Sequence, residues 1–204
     1  MFFKLSKLKQ MLKDAHKGPG LTVGHMAESE TGIPEGYYVS SGYWIMWFRA
    51  DGMPKEAKAA VIELCGDLPV AGEVFKSWKD GGNQYEIEQK EVYNLPEGFM
   101  QCGCVFRVTN LLGQQDGRLV RFLQEDGREM RVTAVSEKFM EVIDTDTMDR
   151  ADGEREPAGP VTNHPEAKYM YWGNDRCYFM VCTREPGTDE EKEFWDFLRG
   201  TEIP

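Results

Sequence analysis

The sequence predicts an α+β fold: a mainly antiparallel sheet of hairpins and a meander, with about four separate helices that include amphipathic ones at both ends. Three observations carry this. Runs rich in aromatic and β-branched residues are closed by turn residues, as at Ser40-Ser41-Gly42, Asp116-Gly117, Asp126-Gly127 and Gly173-Asn174-Asp175. Apolar residues at helical spacing occupy distinct segments and do not alternate with strands as in a doubly wound sheet. The 204 residues have an ordinary apolar share and tryptophans spread from Trp44 to Trp195, enough for one domain, residues 1–204, with an aromatic-rich core.

In chain order, Leu5, Leu8, Leu12 and Ala15 recur at three- and four-residue steps, a helix that ends near Gly18-Pro19-Gly20. Residues 21–35 read as a strand and loop, and Tyr37 to Phe48 as a hairpin turning at Ser40-Ser41-Gly42. Pro54 suits a first helical turn, Ala57, Val61, Ile62 and Cys65 make a stripe, and Gly66 is a natural stop. Turn residues Asp80 to Asn83 precede an expected strand at Tyr85 to Val92.

Three antiparallel strands are expected after Pro96: Met100 to Asn110, Leu119 to Gln124 and Glu129 to Val135. Ser136 then stands as an N-cap before Phe139, Met140 and Ile143. Residues 145–165 hold acids, Pro157, Pro160 and Pro165 and no periodicity, and are expected to form a mobile acidic loop. A hairpin joins Lys168–Trp172 to Arg176–Thr183. The last helix starts at Thr188, whose partner Glu191 completes a capping box, with Phe194, Trp195, Phe197 and Leu198 to bury. Strand, turn and helix occur twice, around Tyr43–Cys65 and Met130–Ile143, a layout similar to that of ring-shaped DNA clamps and of several hotdog-like or ferredoxin-like folds.

A formal net charge of −11 argues against a surface that grips nucleic acid throughout, since phosphate binding rests on Lys and Arg. The charge is uneven. Lys4, Lys7, Lys9, Lys13 and Lys17 make the N-terminus basic, whereas acids crowd the last third. One acidic zone runs from Glu137 through Asp144, Asp146, Asp149, Asp152, Glu154 and Glu156, and a second holds Glu185, Asp189, Glu190, Glu191, Glu193, Asp196 and Glu202. Lysines interrupt any apolar run at the N-terminus, so no secretory signal is read there, and no stretch has the length to cross a bilayer. Five cysteines without a dense framework fit reduced thiols, and cytoplasm is the expected compartment.

Phosphate-cradling glycine loops, the Gly-x-Ser-x-Gly elbow and the His-Glu-x-x-His helix are missing from the sequence, which removes support for ATPase, dehydrogenase, common serine hydrolase and zincin readings; no cofactor is expected. Cys102 and Cys104, two apart on a strand, would share a face and with Cys177 and a histidine would make a zinc site, set against small buried side chains as the simpler reading. A nucleophilic cysteine would need His25 or His164 as base, without a local signature. Counting an EF-hand from Asp144 puts Met148, Asp149 and Arg155 at its fifth, sixth and twelfth places, so that motif fails.

The expected function is therefore that of a non-enzymatic acidic binding protein that occupies a protein partner. In its sharpest form it mimics nucleic acid, as an inhibitor or accessory factor of a nucleic-acid-binding protein, with Asp144, Asp146, Asp149 and Asp152 binding the partner. Hairpin aromatics such as Tyr43, Trp47, Tyr171 and Tyr178 would supply anchors if one strand face were exposed, or fill the interior if helices covered both. Two alternatives stand beside it: a clamp-like DNA-associated protein using Lys4, Lys7, Lys9 and Lys13, and a small enzyme with a pocket around His25 or His164.

Overall fold

Short strands closed by tight turns pair with their chain neighbours, and this sets most of the topology. At Asp116-Gly117 both turn residues have positive φ, 51° and 70°, the twist that a two-residue hairpin requires. The computed structural model describes residues 1–204 except Thr31, Glu86, Gln89, Arg128, Thr147 and 149–152. Its strands are β1 (Leu21–Met26), β2 (Gly36–Ser40), β3 (Trp44–Arg49), β4 (Val74–Trp78), β5 (Gly82–Gln84), β6 (Cys104–Gln115), β7 (Arg118–Glu125), β8 (Val132–Ser136), β9 (Ala158–Thr162), β10 (Tyr169–Gly173) and β11 (Cys177–Cys182). They form one antiparallel sheet of 11 strands in the order β5-β4-β1-β2-β3-β11-β10-β9-β6-β7-β8. The helices are α1 (Leu5–Lys17), α2 (Lys55–Cys65), α3 (Leu95–Met100), α4 (Glu137–Met140) and α5 (Asp189–Arg199), with a 3-10 turn at Glu91–Tyr93. The fold class is α+β, as the sequence predicts.

Alternate strand residues face opposite ways, and both faces are covered. On one face α1 and α2 bury Leu8, Met11, Leu12, Ala57 and Val61 against Val39, Met46, Phe48 and Phe179. Phe3 wedges between them, edge-on to Phe48 and to Phe179 at 5.7 Å each. Full burial of such a ring contributes about 1.5–3 kcal/mol. The opposite face carries two separate cores. Tyr38, Ile45, Trp47 and Tyr171 lie under α3 and the segment before it, while Val120, Phe122, Val132 and Ala134 lie under α5. Of the hairpin aromatics, Trp47, Tyr171 and Tyr178 therefore pack into the interior, whereas Tyr43, at the turn, is exposed.

Four elements differ from expectation. No strand forms among the described residues of 85–92; Ile87 and Tyr93 instead cross the open face of the sheet, where Tyr93 stacks on Tyr38 at 4.4 Å. Met100 ends α3 rather than starting a strand, because Asn94 caps that helix by accepting from the Glu97 amide. Residues 158–162, expected within a loop, form β9 between β10 and β6. Ile62 sits past the edge of the buried stripe of α2 and is exposed, its place inside taken by Ala60.

Two glycines set how closely the aromatic layer approaches the sheet. A Cβ on Gly24 would lie 2.1 Å from the ring of Tyr38, and one on Gly36 would lie 2.1 Å from that of Trp47. Both rings are fully buried and have nowhere to retreat. We expect Gly24→Ala to lower unfolding stability by about 1–3 kcal/mol, the range for overpacking a filled core, in a urea titration.

Candidate functional site

Acids of the first zone are mostly engaged. The carboxylate of Glu137 takes two hydrogen bonds from the Arg121 guanidinium, at 2.6 and 3.0 Å. Glu141 pairs with Lys7, and Glu154 is buried against the amino group of Met1. Asp144 and Asp146 share one turn, the Asp146 amide donating to Asp144 Oδ1 at 3.0 Å. Asp149 and Asp152 lie outside the described residues. Helix α1 shares in these contacts at two points: Lys7 holds Glu141, and Asp14 receives Lys138 of α4. Acids and lysines that the sequence sets apart thus meet and bind α1 to the segment around α4.

The second zone is arranged differently, because 3.6 residues per turn sort α5 into three rows. Glu191, Trp195 and Leu198 face the sheet, the latter two buried. Asp189, Lys192, Asp196 and Arg199 form the second row, tied by ion pairs of 2.8 Å between Asp189 and Lys192 and between Asp196 and Arg199. The third row is Glu190, Glu193, Phe194 and Phe197. Neither of its acids makes an ion pair among the described residues, and its rings are 44% and 67% exposed. Both phenylalanines were expected inside; with Trp195 and Leu198 already filling the contact, they fall beyond its edge. Phe194 meets Phe122 edge-on at 5.9 Å, and a recess of about 180 Å³ lined by Leu112, Val120 and Glu191 opens beside it.

Buried polar groups hold α5 in place. Gln124, fully buried on β7, uses its whole hydrogen-bonding capacity: Nε2 donates to the carbonyls of Leu198 and Thr201, at 3.3 and 2.8 Å, and Oε1 accepts from Arg107 and from the Ile203 amide, at 2.7 and 3.0 Å. At the other end the capping box forms as its spacing predicts, with the Glu191 carboxylate also taking the Gly187 amide at 2.6 Å. That bond and the side chain of Gln115 hold the Glu191 carboxyl below the usual carboxylate range. Only the box was visible in the sequence; the clasp by Gln124 joins residues far apart in the chain, and no local pattern announces it.

Candidate catalytic and metal residues do not assemble. Cys102 precedes β6 and packs under α3, its thiol 3.4 Å from the Gly98 carbonyl, whereas Cys104 packs on the other face, as does Cys177. The expectation of two thiols on one face fails because the chain is not yet extended at Cys102. Burial raises both the Cys102 thiol, to about 11, and the Cys177 thiol, to about 12, the opposite of what a nucleophile needs. His25 lies 3.1 Å from the Pro69 carbonyl and 2.7 Å from Glu35, stacked on Tyr37 with no thiol in that set. His164 Nδ1 accepts the Glu166 amide. No described group of three or more His, Cys, Asp and Glu side chains is placed to hold a metal ion, and no described helix is long and apolar enough to cross a membrane.

No protein-family model, no curated protein and no solved structure matches the chain.

Two outcomes follow from the clasp and the cap. Gln124→Ala leaves buried backbone groups without partners, and we expect a loss of about 1–3 kcal/mol in denaturant unfolding together with faster amide exchange after residue 195. A carboxyl with a depressed pKa stabilises fully above its unfolded value and loses that contribution as pH falls through the folded value. Protection of the Gly187 and Thr188 amides, corrected for intrinsic exchange, should therefore drop on acidification, and Glu191→Gln should flatten that dependence.

Proposed function

We propose that the protein is a non-enzymatic binding protein that occupies a protein partner through the outer row of α5, the partner presenting a basic surface. The observation that carries this reading is the coincidence, on one stripe, of two exposed phenylalanines with two acids that have no ion pair among the described residues. Aromatic anchors supply contact area at small entropic cost, and a surrounding negative rim steers a basic partner and rejects acidic ones. The recess beside Phe194 is of a size to take one apolar side chain. A net charge of −11 adds long-range attraction toward the same class of partner. A partner whose basic groove otherwise holds nucleic acid fits this chemistry, and the nucleic-acid-mimic version then rests on Glu190 and Glu193 rather than on Asp144 and Asp146.

The test is capture by the tagged protein from a lysate of its host, with and without nuclease, followed by binding measurements on the purified partner. We expect a nuclease-resistant partner with a basic face, bound more weakly as salt rises. Phe197→Ala and the pair Glu190→Lys, Glu193→Lys should each weaken it by about tenfold or more, since a buried aromatic anchor contributes 2 kcal/mol or more. Both sites are exposed, so the fold should survive. Binding that ignores these substitutions, or that vanishes with nuclease, would remove the proposal.

A further inference from the structure

The sheet face under α3 contrasts two neighbouring cross-strand rows. One reads Val74, Gly24, Tyr38, Trp47 and Tyr178 from β4 to β11, and its rings fill the space under α3. The next reads Lys76, Thr22, Ser40, Ile45 and Met180. Where the first row has Tyr38, Trp47 and Tyr178, the second has the smaller Ser40, Ile45 and Met180, and a cleft of about 590 Å³ opens above it. That is the size of small-molecule sites.

Its lining is one-sided in charge. The chain has 35 acidic and 24 basic residues, yet Lys76 and Lys90 line this cleft and no described carboxylate does. Neither lysine makes an ion pair among the described residues, and Lys76 Nζ is steadied 4.8 Å over the ring of Trp78. Tyr43, Tyr93 and Tyr169 stand around the cleft with Val92. A second cleft of about 690 Å³ shares Tyr43 and Cys182 with the first and is lined by Arg118, Lys138 and Arg184, again without a carboxylate. There Lys138 and Arg184 already hold Asp14 and Asp116, so the uncompensated lysines of the first cleft make it the better anion site.

We propose that the first cleft binds a phosphorylated small molecule with a flat aromatic body, of the nucleoside monophosphate class. The lysines are point-charge donors for the phosphate. Tyrosine rings with Ile45, Val92 and Met180 enclose the aromatic body, and Ser40 and Ser41 add polar lining. Low-dielectric walls strengthen the attraction of the lysines for an anion.

Isothermal titration calorimetry of the intact protein with AMP, GMP, CMP and UMP tests this, with adenosine and inorganic phosphate as separate arms. At least one nucleotide should bind saturably and at least tenfold tighter than either half alone. Lys90→Ala, at an exposed side chain that the fold does not use, should weaken binding at least fivefold, and Lys76→Ala likewise. Arg118→Ala in the neighbouring cleft should change it less than twofold. Absence of nucleotide binding overturns the proposal. So does affinity no better than that of inorganic phosphate, or an equal response to Arg118→Ala, which would mark general charge attraction. Partner capture through α5 does not involve these lysines, so the two readings fail independently.

Discussion

β9 pairs with β10 along one side and with β6 along the other, and among the described residues the two parts of the sheet otherwise meet only at one isolated bridge, Ala134 opposite Arg184. The junction with β6 is short, Cys104 opposite Thr162 and Val105 opposite Val161. Without it, β10 and β6 would each present an open edge, a template for pairing with other chains. The core beneath reinforces the junction: Phe106 and Leu123 from the meander belong to the same cluster as Met170 and Trp172 from the hairpin beyond it. Hydrogen bonding and burial therefore favour the same arrangement, the consistency expected of a sequence with one dominant fold.

A single wide sheet has two faces to cover, and the chain meets this unequally. One face receives α1, α2, α4 and the N-terminal phenylalanines in a continuous core. The other is covered in two places by short elements, and the room left beside α3 is decided by side-chain size along one row. Gly24 and Gly36 let Tyr38 and Trp47 lie flat, while Thr22 and Ser40 leave a cleft. A cavity here is the direct consequence of which strand positions carry large side chains.

Elements held by local physics could be read from the sequence: α1 and α2 from their apolar spacing, the hairpins from their turns, α5 from its capping box. Those set by distant partners could not. β9 carries Gly159 and Pro160, poor strand formers, and is extended because β10 and β6 flank it. α3 was hidden by Pro96 and Gly98, although Asn94 three residues before Glu97 is a cap signal that could have found it. Charge pairing was hidden in a similar way, since composition counts Glu137, Glu141 and Glu154 as surface charge while the fold spends them on Arg121, Lys7 and the chain terminus. Exposure of Phe194 and Phe197 was equally invisible, because helical spacing gives the width of an apolar stripe but not how much of it the neighbouring sheet accepts.

Charge then decides whether an acidic chain can hold both a face for basic partners and a cleft for anions. The outer row of α5 lies over β7 and β8, whereas the cleft is centred on β1 to β3. The two surfaces are built on different elements, and β7 approaches the rim of the cleft only on the far side of Tyr43 and Cys182, where Arg118 and Leu119 line the second cleft. The screening length at physiological salt is about 8 Å. An exposed charge farther than this from Lys76 and Lys90 is largely screened there, and what matters is that no described carboxylate lines the cleft wall itself. Net charge describes the molecule seen from afar; within a Debye length each surface is set by its own neighbours.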